Sequence, residues 1–411
     1  MRILIISQYF PPENNAPAHR LGFFAQYLAK AGHNVTVICE PPNYPKGILH
    51  QGYKNKFFQE EKWEGIRVIR SGVWITQGKG FIARTLSYFS FFFSSFLNSL
   101  KAGNVDVVFA SSPPLPVIFS GALIAKFKKV PLVTDIRDIW PDSAVAVGMM
   151  KKNFTFRALE KLEKAVYRQS SKIIVNAKGI YRRLEREKGV PKEKMIFLPN
   201  GAELDIFRPD ADYREIEERY SLRGKFVALY TGLIGLAQAP EIMIGAAKEL
   251  SKYKNISFLI VGDGPLKKNC EELAKQYSPS NIIFTGERPR SEMPQFTSRA
   301  NVTLIPYKNS PLFKDVIPSK IFDYMAAAKP VIINLDGEGA AIIKEAGCGF
   351  IAEPENPTSM AENILKVYKD KNSAEKIGVA GHKFVEENYN RSKIAAELEI
   401  TLRSFKKWQD A

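Results

Sequence analysis

The sequence has few of the residues that build metal centres and disulfide scaffolds. Its 411 residues include three cysteines and four histidines. These residues lie far apart, and none has the spacing of a zinc site. An odd number of widely separated cysteines indicates a reducing compartment. The composition therefore argues against a disulfide-stabilised secreted fold and against a metal centre built from histidine or cysteine.

Long uninterrupted apolar runs are also missing. We expect the first apolar run, Arg2–Ser7, to be a strand that ends before Pro11 and Pro12. This run is too short to be a signal peptide. The most apolar helical stretch, residues 81–100, contains Arg84 and several serines, whereas a membrane span needs about 20 mostly apolar residues. It is therefore either a core-facing helix or a surface that enters the membrane interface. Phenylalanines on all its sides favour membrane contact.

Positive charge is concentrated in the first half of the chain. The formal net charge is +16, and residues 1–202 hold 30 Lys and Arg against 14 Asp and Glu, while residues 203–411 hold 29 of each. A basic half indicates an anionic partner, which could be nucleic acid, acidic lipid or a phosphorylated acceptor.

Strand-like and helix-like segments alternate along the chain, which is the pattern of parallel α/β sheets. The alternation restarts after Pro199-Asn200-Gly201, so the sequence predicts two doubly wound, Rossmann-like domains. The predicted strands lie near residues 2–7, 34–39, 66–70, 105–110, 131–135, 171–176, 194–198, 226–231, 256–261, 281–284, 301–305, 330–334 and 349–352.

The segment 314–330 is the most informative part of the second domain. It reads as a loop followed by a short helix, with Pro318 in the first helical turn. The N-terminus of a helix presents unpaired N–H groups and a positive dipole, and Lys320 adds a formal charge there. This combination predicts a phosphate site. Asp315 and Asp323 flank it and could accept hydrogen bonds from sugar hydroxyls.

This segment resembles the signature of the retaining glycosyltransferases of family 4, which have the two-domain GT-B fold. That family carries two glutamates separated by seven residues, and this chain keeps the spacing with Asp315 and Asp323. It has Ala328 where the family has glycine. In GT-B enzymes the two domains face a cleft and the last helix crosses back to the first domain. The resemblance therefore implies an acceptor-side domain of residues 1–200 with a C-terminal helix at about 387–411, and a nucleotide-sugar-binding domain of residues 201–386.

Two turns in the first domain follow strands and are candidates for acceptor binding. The turn at residues 8–18 contains Asn15 and Ala16 and precedes a helix with Arg20, and the loop at 41–47 contains Asn43 and Tyr44. Plain turn chemistry is an equally good explanation of their proline and asparagine residues. Both turns resemble the branch of family 4 that makes bacterial O-antigen and capsule sugars, including L-fucosamine transferases.

A third loop, residues 134–143, has three acids and Arg137 within eight residues that also contain a Trp-Pro pair. It also resembles the O-antigen branch closely. Asp138 is the candidate for engaging the acceptor hydroxyl, as general base or as orienting group. Arg137 could keep Asp138 ionised or meet an acceptor phosphate, although an internal Asp–Arg pair is the structural alternative.

The resemblance assigns donor binding to the second domain. It implies that Asp315 and Lys320 are catalytic residues, in addition to Asp138 of the first domain. Glycine-rich turns after two strands let the backbone approach a diphosphate. The implied donor-binding residues are Gly232, Gly235, Gln238, Gly262, Asp263, Glu287, Arg288, Val316, Ile317, Pro318, Ser319, Ile321 and Asp323.

The implied reaction moves a sugar with retention of configuration from a nucleotide donor, expected to be UDP-linked and N-acetylated, to a polyprenyl-diphosphate-linked acceptor in surface-polysaccharide assembly. Helix dipole, lysine and glycine-turn amides would stabilise the departing diphosphate, so no metal or other cofactor is expected. We expect a cytoplasmic protein that is peripheral on the inner face of the cytoplasmic membrane. The alternatives are a basic nucleic-acid-binding protein, although no binding motif supports it, and a UDP-sugar epimerase of the same fold.

Overall fold

The structure is a computed structural model that describes residues 1–45, 47–76, 81–146, 148–277 and 281–405. The side chains of residues 81, 82 and 84 are outside this description. Two predicted segments extend beyond the described residues, at Lys46 in the 41–47 loop and at 406–411 in the last helix.

The chain forms two compact units. Unit 1 consists of Met1–Pro199 and the chain from Ser392 onward, and unit 2 is Asn200–Arg391. The sequence analysis placed these boundaries after residues 200 and 386. Each unit is an α/β sheet with helical crossovers, which confirms the predicted class of two doubly wound, Rossmann-like domains.

Unit 1 has an eight-stranded sheet in the order β3-β4-β2-β1-β5-β6-β7-β8. Every pairing is parallel except that of β3 with β4. The strands are β1 (Arg2–Ile6), β2 (Asn34–Cys39), β3 (Phe58–Trp63), β4 (Ile66–Ser71), β5 (Val107–Ser112), β6 (Leu132–Ile136), β7 (Lys172–Val175) and β8 (Met195–Phe197). The helices are α1 (Ala16–Lys30), α2 (Phe81–Asn98), α3 (Leu115–Lys128), α4 (Asp142–Ala146), α5 (Phe154–Gln169) and α6 (Lys178–Lys188).

The sequence did not predict strand β3. Its residues, Phe-Gln-Glu-Glu-Lys-Trp, are mostly charged or polar and lack a clean apolar alternation. An edge strand that pairs on one side only needs fewer apolar residues, because one of its edges stays in water. Its partner β4, by contrast, is almost entirely buried and was predicted.

Unit 2 has a six-stranded, all-parallel sheet in the order β11-β10-β9-β12-β13-β14. The strands are β9 (Phe226–Thr231), β10 (Ile256–Val261), β11 (Ile282–Gly286), β12 (Val302–Ile305), β13 (Val331–Ile333) and β14 (Gly349–Ile351). The helices are α7 (Arg214–Arg219), α8 (Pro240–Glu249), α9 (Lys267–Tyr277), α10 (Met293–Arg299), α11 (Lys320–Ala326), α12 (Glu338–Ala346), α13 (Pro357–Lys369) and α14 (Lys371–Asn388). A last helix, α15 (Arg391–Arg403), carries the chain from unit 2 into unit 1.

Each sheet is the centre of its own hydrophobic core. In unit 2 the central strand β9 is buried along nearly its whole length, and β10 is buried throughout. Strands covered on both faces read as continuous apolar runs, which is why the sequence located them well. Both sheets therefore present the turns at the carboxyl ends of their strands, where ligands bind in folds of this kind.

Candidate functional site

Helix α11 lies against the carboxyl end of the central strand β9. The Lys320 amine is 3.8 Å from the centre of the Tyr230 ring. One turn later the Tyr324 hydroxyl accepts a hydrogen bond of 2.8 Å from the backbone N–H of Thr231. A Cβ atom placed on the exposed Gly232 would be 3.1 Å from the Lys320 amine. The structure thus brings Lys320 and the glycine-rich turn after β9 together.

Lys320 carries a charge that the protein does not neutralise. Burial lowers the pKa of the Lys320 amine from 10.5 to about 7. Among the residues that the structure describes, no carboxylate pairs with this amine, which lies over the Tyr230 ring. A desolvated cation without a counter-ion is stabilised by any anion that reaches it. The position beside Gly232 can therefore bind a phosphate.

Two glycines allow the turns after β9 and β10 to stack. Gly262 has φ +153°, and a Cβ atom there would lie 1.9 Å from the Gly232 carbonyl oxygen. Gly264 has φ +156°, and its Cβ atom would lie 2.5 Å from the Ile234 carbonyl oxygen. The Ile234 N–H donates a hydrogen bond of 2.9 Å to the Asp263 carbonyl. The stack needs glycine because no other residue leaves room for this approach.

The start of α11 differs from its prediction. The helix begins at Lys320, two residues after Pro318, and spans seven residues. Ser319 occupies the N-cap position but makes no capping hydrogen bond through its side chain. Because so short a helix sums few peptide dipoles, its dipole contributes less than the sequence analysis assumed. The Lys320 charge is therefore the main attraction for an anion.

The two acids of the signature have different surroundings. Asp323 is in α11, and burial raises the pKa of its carboxyl to about 6, although Arg290 and Arg391 oppose this effect. Its Oδ1 atom is buried and makes no hydrogen bond to the described residues. Asp315 ends a short 3₁₀ turn at Phe313–Asp315 and stays partly exposed. Asp323 thus has an acceptor oxygen that no group in the described part of the chain uses.

The remaining predicted donor residues surround this position to different degrees. Gln238 has a buried Oε1 without a hydrogen-bond partner among the described residues, 3.0 Å from where a Cβ of Gly235 would be. The Arg288 guanidinium lies 5.8 Å from the centre of the Tyr220 ring, and Glu287 is exposed after β11. The segment before α11 includes both partly exposed and buried residues. The partly exposed residues are Val316 and Ser319, and the buried ones are Ile317, Pro318 and, in the helix, Ile321.

The loop after β6 in unit 1 holds Asp138 and Arg137. Burial raises the pKa of Asp138, against a hydrogen bond from the Ser143 side chain, and its Oδ1 has no hydrogen-bond partner among the described residues. Burial also lowers the pKa of Arg137 to about 10. Arg137 donates to the Ser111 hydroxyl at 3.0 Å and to the Pro113 carbonyl at 3.2 Å. Asp138 is therefore the residue of this loop with an unused buried oxygen.

Arg20 does not have the predicted acceptor-binding geometry. It is 1% exposed, and its guanidinium donates to Asp135 at 3.0 Å and to the carbonyls of Leu198 and Pro199 at 2.8 and 2.7 Å. These bonds connect α1 to β6 and to the chain after β8. Arg20 is a structural residue, because its donors are directed into the protein.

The turns at 8–18 and 41–45 are held together by Glu13. Its Oε1 atom accepts hydrogen bonds from the N–H groups of Asn43 at 2.9 Å and Tyr44 at 3.0 Å. Asn15 caps α1 by accepting a 2.9 Å bond from the N–H of Ala18, and Ala16 is exposed beside it. The predicted acceptor residues Asn15, Ala16, Asn43 and Tyr44 therefore belong to one connected surface of unit 1.

The sequence analysis did not identify Glu13 or its neighbour Glu40. Burial raises the pKa of Glu13 to about 7 and that of Glu40 well above its ordinary value. Asn43 donates to Glu40 at 3.0 Å and Gln8 donates to it at 2.8 Å. The signal was available, because each acid directly follows a strand or sits in the turn after one.

A buried lysine supports the loop that carries Asp138. Lys188, at the end of α6, donates to Asp142 at 2.7 Å and Glu160 at 2.9 Å, and lies 3.1 Å from Glu163. Burial alone would lower the pKa of Lys188, but the three carboxyl groups outweigh it and raise this pKa. No sequence pattern predicts this cluster, because its members come from three different helices.

Helix α2 has one buried and one exposed side. Phe91 is fully buried, whereas Phe93 is 61% and Leu97 48% exposed. Phe127 of α3 is 62% exposed and makes an edge contact with Phe96. Among the described side chains of α2, phenylalanine is therefore not exposed on all sides of the helix, contrary to the sequence analysis. Within the described residues, no helix combines the length and apolarity that crossing a bilayer requires.

Comparison with known proteins identifies both halves of the chain. The family description "Glycosyl transferase 4-like domain" matches residues 16–201, and "Glycosyl transferases group 1" matches residues 212–384. A protein of Escherichia coli named as a colanic acid biosynthesis glycosyl transferase, WcaI, is 27% identical over 376 residues, which cover 89% of this chain and 91% of WcaI. A Pseudomonas aeruginosa protein named as a glycosyltransferase, WbjE, is 27% identical over 67% of this chain and 70% of its own length.

Solved structures share the fold. Sucrose-phosphate synthase from Thermosynechococcus elongatus has a TM-score of 0.79 at 18% identity and covers 99% of both chains. HepE of Anabaena, in a complex with UDP and glucose, has a TM-score of 0.74 at 17% identity, over 98% of this chain and 100% of HepE. Both unit sheets and the two family matches lead to the same assignment. The chain is a glycosyltransferase with the GT-B fold, whose first half matches the 4-like domain family and whose second half matches the group 1 family.

Proposed function

We propose that this glycosyltransferase moves a sugar from a nucleotide donor, a UDP-linked N-acetylated sugar of the L-fucosamine type, to a polyprenyl-diphosphate-linked sugar, with retention of configuration. The reaction would serve bacterial surface-polysaccharide assembly. The names of the E. coli relative and of HepE, which was solved with UDP-glucose, support the pathway and the nucleotide. The observation that carries the proposal is the unneutralised Lys320 amine beside Gly232.

In this proposal the donor diphosphate binds at the Lys320 amine and the turn that begins at Gly232. The lysine neutralises charge on the diphosphate as the bond to the sugar breaks, so the departing group is stabilised by a fixed cation. No metal is needed for this step. Asp315 and Asp323 accept hydrogen bonds from hydroxyl groups of the donor.

The acceptor would bind on unit 1, at the surface formed by Asn15, Asn43 and Tyr44, with Asp138 engaging the hydroxyl that is glycosylated. The buried Oδ1 of Asp138 lacks a protein donor among the described residues, so a hydroxyl group can donate to it. Burial raises the pKa of Asp138, and the charge of Arg137 opposes this shift and favours the ionised carboxyl.

The test is transfer of a labelled sugar from UDP-linked donors to a short lipid-linked acceptor. Asp315→Asn and Lys320→Ala should each reduce turnover at least ten-fold, as about 1.5–3 kcal/mol is lost with a hydrogen bond to a charged group. The matched control is Lys344→Ala, an exposed lysine of α12. Near-normal turnover of both site variants would contradict the assignment. Product without an added acceptor, by isomerisation of the donor, would instead indicate an epimerase.

We further propose that unit 1 contacts the inner face of the cytoplasmic membrane. Its exposed apolar side chains on α2 and α3 occur in the half of the chain that carries the whole excess of positive charge. Apolar insertion and attraction to anionic lipid act together at such a surface. The exposed apolar residues are Leu86, Phe93, Leu97, Leu123 and Phe127.

Sedimentation with anionic vesicles tests the membrane contact. Phe93→Ser combined with Phe127→Ser should reduce the bound fraction several-fold, because two exposed phenylalanines leave the surface. Phe154→Ser is the matched control, since Phe154 is 86% exposed at the start of α5. Equal pelleting of the double variant and the wild-type protein would exclude this surface.

A further inference from the structure

Unit 2 fastens its two chain ends to each other. The Ala202 N–H donates to the Tyr389 carbonyl at 2.8 Å, and the Arg391 N–H donates to the Ala202 carbonyl at 3.0 Å. The Arg391 guanidinium also donates to the carbonyls of Asn200 at 2.9 Å and Gly201 at 2.8 Å. The segments 200–202 and 389–391 are therefore joined by four hydrogen bonds.

One carboxylate in this region serves two arginines. The Oε1 atom of Glu203 accepts hydrogen bonds from both Arg391 and Arg290. The side chain of Arg391 is 5% exposed, and that of Glu203 is 12% exposed. We call Glu203, Arg290 and Arg391 the arginine clasp. It holds two positive charges against one negative charge, so one positive charge remains.

The arginine clasp is next to helix α11. The ring of Phe322 lies 4.7 Å from the ring of Tyr389, which is two residues before Arg391. The following residue, Asp323, interacts electrostatically with all three members of the clasp. Asp323 supplies the second negative charge, so the four groups together are neutral.

We propose that Arg290 and Arg391, which are held in place by Glu203, are positioning residues that keep Asp323 ionised, so that its free oxygen accepts a hydrogen bond from a hydroxyl group of the nucleotide sugar. This inference rests on the proposed function. An anion is not the ligand for this oxygen, since a carboxylate repels it. A hydroxyl group fits, because it donates to a carboxylate and gains from its charge.

The arginines decide the protonation of Asp323. Burial favours its neutral form, Arg290 and Arg391 oppose this effect, and Glu203 adds to it, so that the pKa of Asp323 is raised to about 6. On the same helix, burial raises the pKa of Tyr324 and Asp323 adds a smaller contribution, so Tyr324 remains a neutral phenol. With both arginines present, the carboxyl is mostly charged at neutral pH. With one arginine removed, it is protonated over a wider range of pH.

The experiment measures the donor KM between pH 5.5 and 8.5 with UDP-N-acetylglucosamine or the donor found active. We call the rise of the donor KM at low pH, where Asp323 becomes protonated, the acidic limb of the profile. Arg290→Gln should move this limb to a pH that is higher by about 1 unit, because a neighbouring opposite charge shifts the pKa of an Asp by about that much. The kcat at pH 8.5 should stay near that of the wild type, and Arg290→Lys should restore the limb. Arg214→Gln, which removes an exposed ion pair with Asp212, is the matched control.

A second variant gives a shift of opposite sign. Glu203→Gln removes the charge that raises the pKa of Asp323, so the acidic limb should move to lower pH. General damage to the fold cannot shift one limb in opposite directions in two variants. Unchanged limbs, or shifts in the same direction, overturn the inference.

Asp323→Asn separates this inference from the proposed function. If the donor KM of Asp323→Asn equals that of the wild type at every pH, the assignment of the donor site fails, and the inference with it. If Asp323→Asn raises the donor KM while Arg290→Gln and Glu203→Gln leave the pH profile in place, only the role of the arginine clasp is refuted.

Discussion

The charge of Lys320 makes donor binding depend on pH in a predictable way. The pKa of the amine is about 7 in the free protein. A bound diphosphate raises this pKa, so above pH 7 each binding event takes up a proton. The affinity should then fall by up to about ten-fold per pH unit, since one pH unit corresponds to about 1.4 kcal/mol. Between pH 6.5 and 8.5 we expect a loss of about 10- to 30-fold.

Calorimetric titration with UDP-N-acetylglucosamine measures this uptake directly. The diphosphate diester keeps its charge over this pH range, so a proton taken up must go to the protein. Titrations in two buffers of different ionisation enthalpy should give about half a proton at pH 7 and about one at pH 8. Lys320→Met should bind about 10- to 100-fold more weakly at pH 6.5 and lose the uptake, whereas Lys344→Met should retain both.

The same lysine affects the stability of the free protein. Its pKa in the folded chain is below the ordinary 10.5. The fold therefore disfavours the ammonium form, at full cost below about pH 7 and at none above about pH 10.5. A shift of this size corresponds to at most about 5 kcal/mol, and solvent screening reduces it, so we expect Lys320→Met to raise the free energy of unfolding at pH 6 by about 1–3 kcal/mol. Buffer-independent binding enthalpies together with an unstabilised Lys320→Met variant would refute the reasoning.

Three further substitutions test packing and charge elsewhere. Gly262→Ala should lower the free energy of unfolding, measured by denaturant titration, by about 2–5 kcal/mol, because its Cβ would collide with the Gly232 carbonyl. The control Gly224→Ala, which has open space around it, should lower the same free energy by about 1 kcal/mol. Glu13→Gln should flatten the pH dependence of the acceptor KM, which in the wild type should rise about three- to ten-fold below pH 7 as the carboxylate protonates; a wild-type KM that is constant from pH 6 to 8 would contradict this. Lys188→Met should destabilise the fold by about 3–5 kcal/mol at pH 8 and by less at pH 5, where the carboxyl groups left without a cation are protonated; an equal loss at both pH values would contradict the role of the ion pairs.

The fold was predictable because its strands are buried on both faces. A strand such as β10, which is buried throughout, appears in the sequence as a continuous apolar run. The strand that was missed, β3, pairs on one edge only and is mostly polar. The sequence analysis placed Pro318 in the first turn of α11, whereas the helix begins at Lys320, because Pro318 is compatible both with a first helical turn and with the loop before it.

The candidate site was predictable where chemistry and position coincide in a short segment. Lys320 and the glycines of the turn after β9 fall in this class. Arg20 was misassigned because its partners, Asp135 and Pro199, are 115 and 179 residues away and pull the side chain inward. The pair of Glu203 and Arg391 spans 188 residues, and only the folded chain brings it together. Burial and long-range pairing, which set the pKa values, are properties of the tertiary structure.

Strand β3 has a consequence for the behaviour of the protein at high concentration. It closes one border of the unit 1 sheet with a ribbon of charged side chains, Glu60, Glu61 and Lys62, that runs against the direction of its neighbour. If a second molecule paired with this edge, the backbone of its own edge strand would lie next to these charges. The strand therefore discourages uncontrolled polymerisation through sheet borders, and replacing its charges with valine or threonine should make the protein prone to form fibrous precipitates.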